Sequence, residues 1–185
     1  MQNIIHLIFE LGHLRRISHE GWKLTGNKNP ETVAEHSLRT AQIGYLLAHL
    51  EHYPHPEQVC TICTFHDIAE TRIGDIHKVA NRYITVDETQ AVKEQTTQLK
   101  DIGTTIFNIW NQAEQQNTQA GIIAKDADLL DMAFTAREYQ QQGYHAASDW
   151  LDKIAPKLKT QSAKELMKKL IHEDPFEWWD GLKKT

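Results

Sequence analysis

Apolar positions recur at three- and four-residue intervals along almost the whole chain, while the two-residue alternation of a half-buried strand is nearly absent. The pattern predicts an all-α protein. Ile4, Leu7, Ile8, Leu11 and Leu14 lay one apolar stripe along a first helix over about residues 3–17. The Gly- and Asn-rich stretch SHEGWKLTGNKNP, closed by Pro30, reads as a loop. Thr32 followed by Glu35 has the form of a capping box, in which each side chain satisfies the other's free backbone amide, and it opens a second helix to about Leu50. His36, Thr40, Ile43, Leu47 and Leu50 make that helix's inward stripe. Beside it runs a row of small residues, Val33, Ser37, Ala41, Gly44 and Ala48, that lets another helix approach closely.

HYPHP interrupts the chain before a third helix over about residues 57–70, and TRIGDIHKVANRY is irregular. Asp87 is the expected N-cap of a long helix through Gln115, bent near Gly103. Thr118 caps the next helix, which carries IIAKDADLLDMAFTAREYQQQ and stops at Gly143. Two more helices, over about 146–154 and 161–172, precede the tail EDPFEWWDGLKKT, whose aromatic residues are expected to dock on the bundle. With no repeat, low-complexity block or linker, the chain reads as one domain over residues 1–185. Its motif core covers about 14–140, and the last helices and tail cover 146–185.

Composition narrows the function. A hydrophobic content of 40% suffices for one helical core, and a formal charge of −5 argues against a partner made of polymeric nucleic acid, which needs clustered Lys and Arg. No apolar run approaches the ~20 residues of a membrane span, so no membrane partner is expected. The N-terminus lacks the basic start and cleavage site of a signal peptide, so the cytoplasm is the expected location. Cys60 and Cys63 sit on an apolar helical stretch with no second C-x-x-C, and read as small buried side chains rather than a redox pair or half a zinc site. His49, His52 and His55 read as a loop cluster without supporting carboxylates.

The chemistry gathers in four segments: AEHS at 34–37, FHD at 65–67, AETRIGD at 69–75 and KDAD at 125–128. Each sets an ionisable group in or beside an apolar helical stretch, where burial is costly without a partner or a metal. His36 and His66 lie on inward stripes. Asp67, about 100° further round the helix than His66, reaches the same point only if the helix ends there. Asp128 points into the bundle, with Asp126 and Asp131 expected at the edge or on the solvated face. Two imidazoles and two carboxylates suit a divalent transition metal, Mn, Co, Fe, Ni or Zn, better than the thiolate set of a structural zinc site.

The order His36, His66–Asp67, Asp128 resembles the H…HD…D signature of the HD-domain phosphohydrolases. Gly21–Trp22, fourteen residues before His36 counting from the Trp, and HDIAETRIGD, with Glu70 and Asp75 after the HD pair, resemble its 5′-deoxynucleotidase branch. The sequence departs from that branch after Asp75, where IHKVANRYI replaces a Pro-containing segment, and after Trp22, where Lys23, Thr25 and Lys28 stand in the loop. The resemblance implies an HD-type helical bundle binding one divalent ion (Mg is then also a candidate) through His36, His66, Asp67 and Asp128. It implies acid–base roles for Glu70 and Asp75, and contact of Trp22 with the sugar or base. It also implies a small nucleoside 5′-monophosphate substrate and a homodimer. Arg39, with Arg15 and Arg16, is the expected source of cations for the phosphate. Hydrolysis of a triphosphate or cyclic nucleotide, and a non-catalytic nucleotide sensor, are the competing readings.

Overall fold

Helix α7, Gln119–Gln141, is the rod around which the rest is built, and the sequence explains why it can be. Ala120, Ala124, Ala127, Ala133 and Ala136 are all buried along it, so neighbours close in on several sides at once. In the computed structural model, which describes residues 1–183, α2 (Val33–Leu50) and α3 (Pro56–Phe65) pack against each other and against α7. The row of small residues on α2 is the contact surface: a Cβ on Gly44 would lie 2.7 Å from Cys63 Sγ and 3.2 Å from Val59 Cγ1. Leu47, Ile62 and Leu130 meet in this core with essentially no exposure, each contributing about 1.5–3 kcal/mol by burial.

On one flank, α5 (Glu88–Thr97) and α6 (Asp101–Gln115) pair beside α1 (Gln2–Leu11) and the short α4 (Glu70–Ile73). Leu7, Ile68, Val92 and Trp110 form a second apolar cluster there. On the other flank, α8 (Ser148–Ile154) and α9 (Gln161–Leu170) close over α7. The caps fall at the expected residues. Thr32 and Glu35 form the reciprocal box, while Asp87 and Thr118 accept from the amides of Gln90 and Gly121.

Several expectations need correction. The first helix stops at Leu11 and tightens into a 3₁₀ turn over Gly12–Arg16, and Ile8, within α1, is 61% exposed. Leu50 is exposed as well, beyond the end of the core. The long helix through Gln115 is two helices, because Lys100 takes a left-handed φ of 55° between α5 and α6. Gly103 permits a close crossing rather than a bend, since a Cβ there would lie 1.9 Å from the Thr96 carbonyl oxygen. In the tail, Trp178 is 76% exposed rather than docked, and Trp179 is half-buried under the Lys183 ammonium. Lys184 and Thr185, the basic end of that tail, lie outside the described residues. No described helix is long and apolar enough to cross a membrane.

Candidate metal centre

The end of α3 makes the site possible. The helix stops at Phe65, and residues 66–69 form turns held by bonds such as Ile68 N–H to Phe65 O and Glu70 N–H to Asp67 O. At this helix end the neighbouring side chains of His66 and Asp67 turn to one point, with Nε2 and Oδ2 3.1 Å apart. His36 reaches the same point from α2, its Nε2 lying 3.2 Å from His66 Nε2 and 3.6 Å from Asp67 Oδ2. Asp128, from α7, brings Oδ1 to 3.3 Å from His36 Nε2 and 3.8 Å from His66 Nε2. Four residues that the sequence scatters over three segments thus converge, on one contact set.

The remaining ring nitrogens decide what that set can hold. His36 Nδ1 donates to Asp131 Oδ2 at 2.6 Å, and His66 Nδ1 donates to the Cys63 carbonyl at 2.7 Å. Each neutral imidazole therefore presents the lone pair of Nε2 to the other, an arrangement that repels unless a cation lies between. Donors about 2.1 Å from one ion stand roughly 3 Å apart, so the observed spacing fits a divalent metal. Without one, protons take its place. Burial opposes charging of His36, but Asp128, Asp131 and Asp67 outweigh it and raise its pKa well above the ordinary value. His66 is raised in the same way, against burial, by Asp67 and Asp128. Asp128 is held well below its ordinary value despite burial, chiefly by Lys125, whose Nζ donates to Oδ2 at 2.6 Å.

Two further carboxylates stand beside the donors. Burial, then the charges of Asp67 and Asp75, push Glu70 up to about 10, so its carboxyl carries a proton at neutral pH while no cation is bound. Asp75 follows Gly74, whose φ of 73° turns the chain back, and its Oδ2 accepts from the backbone amide of Glu20 at 2.5 Å. That bond ties the loop carrying His19 and Trp22 to the segment after α4. A cavity of about 340 Å³ is lined by His19 and Asp75 together with Leu129, Trp150 and Ile154.

The placement of six residues differs from expectation. Trp22 is 1% exposed, edge-on to Tyr139, tilted against Trp150, and donates Nε1–H to Glu31. Its indole is packed behind Trp150, which lines the cavity, and its one polar atom is satisfied. Arg39 is no free cation either: its guanidinium is taken by Asp131, Glu138 and Thr135. Asp131, expected at the edge, is fully buried between His36 and Arg39. Asp126 is 1% exposed and accepts from the amides of Lys159 and Thr160, anchoring the start of α9. Arg15 and Arg16 are exposed on the first 3₁₀ turn and do not line the cavity. Sequence reasoning passed over His19, whose ring lies 4.7 Å from that of His36 and whose Nδ1 meets Glu31 at 3.2 Å. No spacing signal marks that pair.

An HD domain family model matches residues 11–171. The chain is 25% identical over 186 residues to a Dictyostelium discoideum protein named 5′-deoxynucleotidase HDDC2, covering 95% of this chain and 94% of that one. It is 26% identical to the Salmonella arizonae 5′-deoxynucleotidase YfbR, over 68% of each chain. A solved structure of a conserved hypothetical protein from Pyrococcus furiosus superposes with a TM-score of 0.76 at 30% identity, covering 91% of this chain and 99% of that one.

Proposed function

The chain belongs to the HD domain family, and we propose that it is a metal-dependent hydrolase that releases phosphate from nucleoside 5′-monophosphates, with deoxyribonucleotides preferred. One observation carries the reading: the inward Nε2 atoms of His36 and His66, with Asp67 Oδ2, lie within 3.6 Å of one another beside Asp128 Oδ1. In this reading those four residues hold the divalent ion. A bound divalent cation acidifies water and neutralises charge on a phosphoryl group.

The chain's own residues do the rest. Asp131 holds the His36 ring so that Nε2 faces inward, and the Cys63 carbonyl does so for His66. Lys125 balances the charge of Asp128. Glu70, buried beside Asp67 and Asp75, takes a proton from the attacking water and passes it to the departing 5′ oxygen. Asp75, fixed by the Glu20 amide, orients that water at the mouth of the cavity. Apolar walls at Leu129 and Trp150 suit a nucleobase and exclude competing water. Two proton-handling carboxylates favour an enzyme over a nucleotide sensor, which needs neither.

A cytoplasmic homodimer completes the proposal. Free thiols at Cys60 and Cys63 suit a reducing compartment, and Ile8 and Phe9, exposed together on α1, suit a face that self-associates. Metal stripping and readdition of Mn, Co, Mg or Zn singly, with a panel of mono-, tri- and cyclic phosphates, tests the reaction. Orthophosphate from 5′-monophosphates alone is expected; pyrophosphate or tripolyphosphate would replace the reading. Glu70→Gln is expected to lower kcat by about 10²–10⁴-fold while leaving metal affinity within a factor of about three.

A further inference from the structure

Part of the cavity wall is basic. Lys78, from the segment after Asp75, and Lys153 and Lys157, from the α8 end, line the same space. Lys153 has a partner, Asp149, at 2.5 Å. Lys125, the other ammonium near Lys78, is committed to Asp128. Lys78 and Lys157 have no carboxylate in ion-pair range among the described residues, although the chain as a whole carries a formal charge of −5. The carboxylates facing this space are Asp149, already paired, and Asp75, held by the Glu20 amide. The two free ammonium groups also act on each other: Lys157 first, then burial, Lys153 and Lys125, depress the Lys78 pKa. Converging cations without a counter-charge, at the wall of a cavity, are stabilised when an anion enters.

We propose that Lys78 and Lys157, with Lys153 beside them, bind a second phosphate group of the substrate, so that the preferred nucleotide carries one phosphoryl group at its 5′ position and another on the 3′ side of its sugar. The inference rests on the hydrolase reading above and adds its substrate class. A cavity of about 340 Å³ lies within the size range of small-molecule sites, roughly 300–1,000 Å³. Its lining includes His19, whose ring lies 4.7 Å from that of the donor His36, as well as the three ammonium groups. The reaction is unchanged: water supplies oxygen to the 5′ phosphorus, the bond to the 5′ oxygen breaks, that oxygen takes a proton, and the 3′-side phosphate leaves with the product.

Kinetics of the metal-loaded full chain on a nucleoside 5′-monophosphate, a nucleoside 3′,5′-bisphosphate and a 5′-phosphorylated dinucleotide test it. We expect kcat/KM for the bisphosphate to exceed that for the monophosphate by about tenfold, with the advantage shrinking as salt rises. In Lys78→Gln/Lys157→Gln that ratio should fall toward one. A gain on the bisphosphate alone assigns the site to a terminal phosphate, and a gain on both assigns it to a phosphodiester too. Equal kcat/KM for all three in the unmodified protein, or a ratio untouched by the double substitution, overturns the proposal. Should no substrate release phosphate, the hydrolase reading fails, and the second site is judged by calorimetry with a nucleoside 3′-monophosphate. Binding weakened about tenfold in the double variant sustains it, and equal binding overturns it.

Discussion

Asp131 touches no reacting group, yet it is fully buried and holds Nδ1 of His36 at 2.6 Å while it also receives the guanidinium of Arg39. Its charge fixes which imidazole nitrogen faces the donors, and Arg39 keeps that charge from being stranded in the core. Asp131→Asn preserves the volume but leaves His36 without a charged acceptor at Nδ1. We expect metal affinity to fall about 10–100-fold, measured by competition against a chelating dye, with the far-ultraviolet circular dichroism unchanged. Affinity within threefold of the parent would show that the ring is held by packing alone. His36, His66 and Asp128 were legible in the sequence as ionisable groups among apolar helical positions, and Asp67 through its place in the H…HD…D order. Asp131 was not, because in KDADLLD it lies one turn from Asp128, and periodicity does not say which of two inward carboxylates meets the metal and which meets an imidazole. The burial of Trp22 was hidden for a different reason. An aromatic residue in a polar loop looks like a ligand platform until Glu31, nine residues on, takes its only polar atom.

Helices were legible wherever a side chain both starts the element and repeats its face, as with Thr32 and Glu35 on α2 or Thr118 on α7. Breaks were harder to read. The end of α3 at Phe65 brings His66 and Asp67 together, but FHDIAE contains no Pro or Gly to announce it. The turn is imposed by packing of Ile68 and Ala69 into the second apolar cluster, a tertiary cause that local propensity does not carry. What holds the two His-bearing elements at the right separation is the contact of α2 with α3 across Gly44. Gly44→Val would drive its side chain into Cys63 Sγ, 2.7 Å from the added Cβ. We expect a loss of about 1–3 kcal/mol in urea unfolding, together with weaker metal binding as His36 and His66 part. Cys63→Ala in the same chain should recover part of both losses, since it removes the atom that is struck. A stability loss without any change in metal binding would mean that the site does not depend on this crossing.

The whole molecule ties its stability to the cation through charges that cannot all be satisfied without it. In the metal-free protein the raised pKa values of His36 and His66 mean that their contribution is complete below the unfolded histidine value, ~6.5. It is lost as pH rises through the folded values. Glu70 acts in the same direction: its folded carboxyl keeps a proton up to about 10, whereas the unfolded chain gives it up near 4.5, so each step upward between those values favours unfolding. Asp128 works the other way. Its depressed pKa supplies stability above the ordinary value of 3.8, which fades as pH falls through the folded value. The metal-free protein should therefore melt highest in mildly acidic buffer, between the fading of Asp128 below and the cost of Glu70 and the histidines above. A divalent cation replaces the protons on His36 and His66 and lowers the repulsion that keeps Glu70 protonated, so its stabilisation should grow as pH rises. Melting temperatures in chelator and in saturating Mn, taken from pH 5 to 9, are expected to diverge steadily, with the chelated protein falling and the loaded protein nearly level. Parallel curves across that interval would mean that the four donors do not share one ion, because only competition between cation and proton at a common site ties the two profiles together.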